Sequence, residues 1–262
     1  MRSLELDDRG VIKLSGGDAR SFLQGLVTND MTTLEDGGVL YAAMLTPQGK
    51  YLYDFLIYQL GDVFYLDAQK SEITALIQRL SMYKLRADVM LEDTSDTIHV
   101  YAVFDGCAES ALICISDPRH ATMGCRALSE SKIDGDVLTR SDYEKLRIAR
   151  GIPDGTRDMQ QNKTFCLEAN LDHFNGVSFT KGCYVGQEMT ARMMHRTTRK
   201  KLLVFCTVAD GAPEAGTEII ADDEKVAGDI RSSEGALAIA FLKLEYMNSN
   251  LTADGRTVVC YE

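Results

Sequence analysis

The stretch NGVSFTKGCYVGQEMTAR, residues 175–192, places one cysteine between two glycines and ahead of a run that can form a helix. Residues 176–179 have β character, and residues 187–194 have helical character. Cys183 is therefore predicted where a strand ends and a helix begins. The N–H groups at a helix N-terminus favour a thiolate, and Lys181 adds a positive charge two residues earlier.

The residues around the cysteine suggest a constrained turn. Gly182 and Gly186 permit backbone angles or close approaches that other residues forbid. Gln187 and Glu188 either cap the following helix or orient the loop. A lone cysteine is most often buried and inert. From the residues alone, Cys183 is thus either a small packing residue or a thiolate that attacks, exchanges disulfides or binds a metal.

Composition limits the partners and the compartment. The chain has 262 residues and a net charge of −11, which opposes binding to nucleic acid or to an anionic membrane. Seven cysteines without a C-x-x-C pair favour reduced thiols over a disulfide framework or a self-contained zinc site. No apolar run approaches the ~20 residues of a membrane helix. The N-terminus has neither an apolar signal segment nor an Arg/Ser-rich presequence, which predicts a cytoplasmic protein.

The periodicity predicts an α+β fold followed by a small β-barrel. Strands, hairpins and helices alternate irregularly before residue 200, with a hairpin at Gly61-Asp62 and a helix over residues 70–81. Ser141 and Glu144 suggest a capping box. Residues 152–175 are predicted to form a long ordered loop.

About five short strands follow residue 201, separated by turns. The predicted domains are residues 1–198, with a middle subdomain of about 50–130, and a barrel over residues 199–262.

The stretch 175–192 resembles the signature of the folate-binding YgfZ family of iron–sulfur cluster maintenance proteins. FLQGLVTND from Phe22, MLTPQGKYLYDF from Met44, DPR from Asp117, GIPDGTRDM from Gly151 and LEANLDHF from Leu167 match in the same order. The segment GIPDGTRDM is most similar to the branch that contains the mitochondrial assembly factor. A weaker similarity links the N-terminal half to the glycine-cleavage T-protein. The resemblance implies two intertwined ferredoxin-like α+β domains around a central hole for tetrahydrofolate, and a C-terminal barrel.

The resemblance also implies site residues. Asp54 matches the acidic residue that serves T-protein chemistry, with an exposed strand carboxylate as the alternative. Asp67 matches a pterin contact, Glu168 is a further carboxylate for the pterin, and Tyr184 either packs or stacks on it. Ala149 stands where the family pattern has a glutamate that clamps the pterin. The resemblance therefore implies weakened folate binding.

A basic run follows the cysteine stretch. Arg192 begins it, and Arg196, Arg199, Lys200 and Lys201 complete it. The run meets either the glutamate tail of a folate or an acidic partner, or else it is a solvated linker into the barrel.

Three functions follow as hypotheses. In the first, the protein assists assembly or repair of iron–sulfur clusters in client enzymes. Cys183 would then be a cluster ligand or redox thiol, the cluster would be shared with a carrier protein, and the factor would be a monomer and not a conventional enzyme. The second is folate-dependent aminomethyl transfer that uses Asp54. The third is a non-catalytic interaction module.

Overall fold

The computed structural model describes residues 1–196 and 199–261, which form two five-stranded sheets and a closed six-stranded barrel. Residues 197, 198 and 262 lie outside the described residues. The predicted domain boundary at residue 198 falls among them. The strands are β1 (Arg2–Glu5), β2 (Arg9–Ser15), β3 (Val39–Leu45), β4 (Tyr51–Leu60), β5 (Val63–Gln69), β6 (Met90–Asp93), β7 (His99–Phe104), β8 (Ile113–Ser116), β9 (Cys125–Ser129), β10 (Asp136–Val137), β11 (Lys201–Val208), β12 (Glu218–Ala221), β13 (Val226–Glu234), β14 (Leu237–Lys243), β15 (Leu251–Ala253) and β16 (Arg256–Tyr261). The helices are α1 (Ala19–Gln24), α2 (Ile73–Lys84), α3 (Arg140–Ala149), α4 (Gly155–Asp158) and α5 (Gln187–His195).

The first sheet has the order β3-β4-β5-β2-β6. Strand β4, YLYDFLIYQL, is buried on both faces, since only its last residue is partly exposed. Strands β4 and β5 pair from Leu60 opposite Val63, which confirms the Gly61-Asp62 hairpin. Helix α2 covers the outer face with Leu76 and Leu80. The inner face carries Asp54, Leu56 and Tyr58 toward the second sheet.

The second sheet has the order β10-β1-β7-β9-β8, so strand β1 pairs with strands that follow the whole first sheet in the chain. This crossing is the predicted intertwining of two α+β units. The predicted middle subdomain, about residues 50–130, takes strands from both sheets. A hydrophobic core that includes Leu56, Tyr58, Val100, Leu128 and Ile148 fills the space between the sheets.

The C-terminal barrel closes in the order β11-β14-β13-β12-β15-β16. Its six strands exceed the five expected from the sequence, because β15 and β16 are a hairpin around Asp254-Gly255. Cys206 lies directly opposite Cys260 on β11 and β16, although 54 positions separate them in the chain. All seven cysteines are free thiols.

Several local predictions were wrong. Residues 176–179 form no strand, and α4 interrupts the predicted loop of residues 152–175. Helix α3 is capped by Thr139, whose hydroxyl accepts a hydrogen bond from the Asp142 N–H at 3.1 Å, and not by Ser141. Glu144 is buried and binds arginines instead of capping the helix. Among the described residues, no helix is long and apolar enough to cross a membrane.

Candidate functional site

The loop that carries Cys183 is fixed to the protein by Lys181. The Lys181 side chain is buried, and its Nζ donates hydrogen bonds to the carbonyl oxygens of Gln24, Val27 and Asn29 at 2.8, 2.7 and 2.6 Å. These carbonyls belong to the last residue of α1 and to the turn that follows it, at a helix end where a positive charge is favourable. Burial lowers the pKa of Lys181 to about 8, although the negative charge of Asp30 acts in the opposite direction. The side chain therefore remains largely protonated at neutral pH.

Further contacts dock the same loop on residues 24–29. The Val185 N–H donates to the Gly25 carbonyl at 3.2 Å, and the Ser178 N–H donates to the Thr28 carbonyl at 3.0 Å. Thr28 in turn donates its hydroxyl to the Gly176 carbonyl at 2.6 Å. The FLQGLVTND and FTKGCYVG segments therefore form one docked unit.

Two glycines let helix α5 approach the Thr46–Gly49 turn. Gly186 precedes the helix with a φ of 88°, and a Cβ there would lie 2.7 Å from the Thr46 carbonyl oxygen. A Cβ at Gly49 would lie 2.8 Å from the Met189 Cβ. Only glycine fits this contact, which brings the second motif, MLTPQGK, to the cysteine loop.

Cys183 itself is exposed, and α5 begins four residues later, at Gln187. Exposure excludes the interpretation of Cys183 as a small packing residue. Gly182, next to it, has open space where a Cβ would be built. Cys107 is exposed as well, and its thiol donates to the Cys114 carbonyl at 3.4 Å.

The other residues of the motif have local roles. Tyr184 is buried in the core between the sheets, and the Lys181 Nζ lies 4.9 Å from its ring centroid. Glu188 and Arg192 form an exposed ion pair at 2.8 Å along α5, so Arg192 is already partnered. No side chain caps the first turn of α5 in the described structure, so neither Gln187 nor Glu188 acts as its cap.

The described residues contain no group of three or more His, Cys, Asp or Glu side chains that could hold a metal ion. The part of the chain that the structure describes therefore does not complete a set of metal ligands around Cys183. A metal or cluster bound by its sulfur needs further ligands from another molecule.

Asp54 lies in the centre of the molecule and is not an exposed strand carboxylate. Its two oxygens accept hydrogen bonds from the Tyr51 and Tyr41 hydroxyls at 2.9 and 3.0 Å. Burial raises the pKa of Asp54, opposed by Arg9 and by the two tyrosines. Gly155 presses against this carboxylate, since a Cβ there would lie 2.0 Å from Oδ1. Asp54 and Cys183 thus occupy separate places, one central and one at the surface.

Asp67 is fully buried and is bound by arginines. Arg9 Nε donates to Asp67 Oδ1 at 2.6 Å, and Arg126 Nε lies 3.6 Å from Oδ2. Nearby, Asp117 and Arg119 of the DPR segment form a two-point pair at 3.0 and 2.7 Å. Both Asp67 oxygens therefore face guanidinium groups in this structure.

Arg147 organises the remaining centre and was not singled out by the sequence. It is buried, and it binds Glu144 Oε2 at 2.9 Å, Asp158 Oδ2 at 2.7 Å and Ser232 Oγ at 2.8 Å. These partners lie on α3, α4 and the barrel strand β13. Glu144 and Arg147 are three residues apart on one helix, a spacing that predicts an ion pair between them. This spacing was the sequence signal that could have identified Arg147.

The side chains present do not fit a folate between the sheets. The cavity lined by Arg9, Asp54, Arg126 and Arg147 has a volume of about 20 Å³, comparable with one water molecule. Pockets for small organic ligands span roughly 300–1,000 Å³. Arginine and carboxylate side chains make up most of the lining of this cavity.

Two further positions that the resemblance links to the pterin, Glu168 and Ala149, lie away from this cavity. Glu168 accepts a hydrogen bond from the Phe165 N–H at 3.0 Å and lines a different cleft, beside the barrel. Ala149 is exposed and lines another cleft with Phe174 and Tyr261. A glutamate at position 149 would thus start on the opposite side of α3 from Arg147.

Glu72 offers a pH test of this region. Burial raises its pKa to about 7, and the negative charge of Asp54 adds to the effect. A carboxyl with a raised folded-state pKa loses stabilisation as the pH rises from its ordinary value of about 4.5 through 7. Glu72→Gln is expected to raise the free energy of unfolding by about 1 kcal/mol at pH 8, a value reduced for the half-exposed side chain, and by a few tenths at pH 5.

Urea denaturation at both pH values measures this effect. The exposed Glu35→Gln variant is the control and is expected to match the wild type. Equal gains for Glu72→Gln at pH 5 and pH 8 would contradict the assignment.

Comparison with known proteins decides the family. The model of the GCVT N-terminal domain matches residues 4–134, and that of the CAF17 C-terminal beta-barrel domain matches residues 199–260. The mitochondrial iron–sulfur cluster assembly factor IBA57 of Mus musculus is 33% identical over 94% of this chain and 78% of its own length. The Homo sapiens protein of the same name is 32% identical over the same shares. The chain belongs to the IBA57 family.

The fold agrees with the same grouping. The glycine cleavage system aminomethyltransferase T from Bartonella henselae matches with a TM-score of 0.78, over 99% of this chain and 84% of that one. At 12% identity this similarity shows the fold alone. It confirms the predicted T-protein-like architecture. The IBA57 relatives are described as mitochondrial, so they do not support the expected cytoplasmic location, which stays a prediction.

Proposed function

We propose that this protein assists the assembly of iron–sulfur clusters in other proteins, and that the Cys183 sulfur binds the cluster during its transfer. The observation that carries the proposal is an exposed free thiol on a loop held by a buried lysine. Rigid positioning matters because a ligand that is already in place loses little conformational freedom on binding. The IBA57 relatives bear the name of assembly factors, which supports the same function.

The chemistry is ligand exchange. The Cys183 thiol loses its proton as its sulfur binds iron, since the thiolate is the metal ligand. An iron–sulfur cluster takes four protein ligands, and the described residues contain no group of three or more His, Cys, Asp or Glu side chains that could hold it. A cluster carrier protein supplies the remaining ligands, and the cluster is cargo that passes on to a client enzyme.

Exposed apolar side chains flank the thiol in the sequence. Phe179 is 38% exposed, and Met194 on α5 is 47% exposed. Aromatic residues and methionine are enriched where proteins meet. Both side chains are exposed and are therefore accessible to a partner protein.

Folate-dependent aminomethyl transfer is not proposed, because Asp54 is bound by two tyrosines and the adjacent cavity has no room for a pterin. The proposal needs no folate step.

Mixing the protein with a [2Fe–2S]-loaded carrier tests the proposal. The wild type is expected to co-elute with the cluster in size-exclusion chromatography and to change the visible circular dichroism of the cluster. Cys183→Ser is expected to lower complex formation and client maturation at least tenfold, about 1.4 kcal/mol. Cys107→Ser, which removes the other exposed thiol, is the matched control and is expected to behave as the wild type. Normal client maturation by Cys183→Ser would refute the proposal.

A further inference from the structure

A cleft between the barrel and residues 160–168 collects positive charge from distant parts of the chain. Its volume is about 710 Å³. Six cationic side chains line it and three carboxylates oppose them, whereas the whole chain has a net charge of −11. We call it the basic cleft; its cations are Lys50, Lys163, Lys200, Lys201, Arg231 and Lys243.

Most of these cations lack an anionic partner. Of the six, only Arg231 forms an ion pair within the described residues, at 2.7 Å from Asp229. Lys50 and Lys243 donate instead to the carbonyls of Lys163 and Val226, both at 2.6 Å. The carboxylates Glu168 and Glu218 make no ion pair within 4.0 Å in that part of the chain either. The basic cleft therefore keeps an excess of positive charge, six cations against three carboxylates.

Aromatic rings hold several of the cations in place. Lys50 Nζ lies 3.1 Å from the Phe165 ring centroid, while Lys201 Nζ and the Arg231 Cζ lie 5.5 and 5.1 Å from that of Phe241. Burial and the positive charge of Lys201 lower the pKa of Lys50, whereas the negative charge of Glu168 raises it. Burial has the largest effect. The positive charges that line one cleft repel each other, and an anion bound between them reduces this repulsion.

We propose that the basic cleft binds a small polyanion, a molecule that carries several phosphate or carboxylate groups. Its volume lies in the range of small-molecule sites, roughly 300–1,000 Å³. Lysine ammonium groups bind phosphate and carboxylate as point charges, and five of the six cations are lysines. Of the basic run of the sequence, Lys200 and Lys201 line the basic cleft, whereas Arg192 and Arg199 pair with Glu188 and Asp172.

Calorimetric titration with sodium tripolyphosphate and, separately, with citrate tests the proposal. The wild type is expected to bind at least one probe, more weakly as salt is added because the contacts are ionic. Lys163→Gln/Lys201→Gln is expected to weaken that binding about tenfold. Tighter binding of tripolyphosphate would identify phosphate esters as the ligand class, and tighter binding of citrate would identify polycarboxylates.

A matched double variant serves as the control. Lys132→Gln/Lys145→Gln removes the same charge from exposed lysines outside the basic cleft and is expected to bind like the wild type. The proposal fails if the wild type binds neither probe, or if both double variants lose affinity equally. It also fails if only an acidic peptide of about ten residues binds, since that would make the cleft a protein-docking surface.

Discussion

Replacing Arg147 with methionine is expected to lower the free energy of unfolding by about 3–5 kcal/mol. The side chain is 2% exposed and pairs with Glu144 and Asp158, which are buried as well. Methionine fills much of the space, but it leaves Asp158 without its ion-pair partner and Glu144 with Arg157 alone. An unpaired buried charge costs more than the pair contributed when it was intact. Denaturation with guanidinium chloride measures the loss.

The neighbouring Arg150 provides the control for Arg147. It lies on the exposed side of the same helix end, so Arg150→Met is expected to change stability by less than about 0.5 kcal/mol. A triple change that removes Arg147, Glu144 and Asp158 together is expected to recover part of the loss. If Arg147→Met alone were as stable as the wild type, the buried network would not hold α3 to the barrel.

Replacing Lys181 with methionine is expected to cost about 2–4 kcal/mol and to release the cysteine loop. Three carbonyl oxygens at the end of α1 would lose a charged donor. Urea denaturation gives the stability loss, and limited proteolysis within residues 176–186 reports release of the loop. Lys132→Met, at an exposed position, controls for the lost charge and is expected to be neutral.

The conservative variant separates geometry from charge. Lys181→Arg keeps the charge, but its planar guanidinium does not match three carbonyls arranged around one ammonium. It is expected to recover less than half of the stability. If Lys181→Met instead kept full stability and slowed alkylation of Cys183, then Lys181 would activate the thiol and would not be the anchor of the loop.

The family motifs were visible in the sequence, but the contacts that they make with one another were not. FLQGLVTND, MLTPQGK and KGCYVGQE appear as separate segments from residues 22 to 188. In the structure the first supplies carbonyls to Lys181, and the second supplies the turn against Gly186. Hydrogen bonds between segments about 150 residues apart depend on chain crossing, which no local pattern contains.

The charged residues show the same division. The sequence singled out Asp54 and Asp67, yet neither their burial nor their arginine and tyrosine partners followed from strand periodicity. The importance of Arg147 and the existence of the basic cleft arise only when α3, residues 160–168 and the barrel come together. Periodicity reports which face of one strand or helix is apolar, and not which distant side chain it meets.

By itself, the sequence determined the α+β class, the C-terminal barrel and the stretch around Cys183, because hydrophobic period, turn residues and contiguous motifs are local properties. The tertiary structure alone decided that Cys183 is exposed, that Lys181 anchors its loop and that paired charged side chains line the small cavity beside Asp54. Burial and pairing of charges are set by neighbours that are distant in the chain, and so they appear only once the chain is folded.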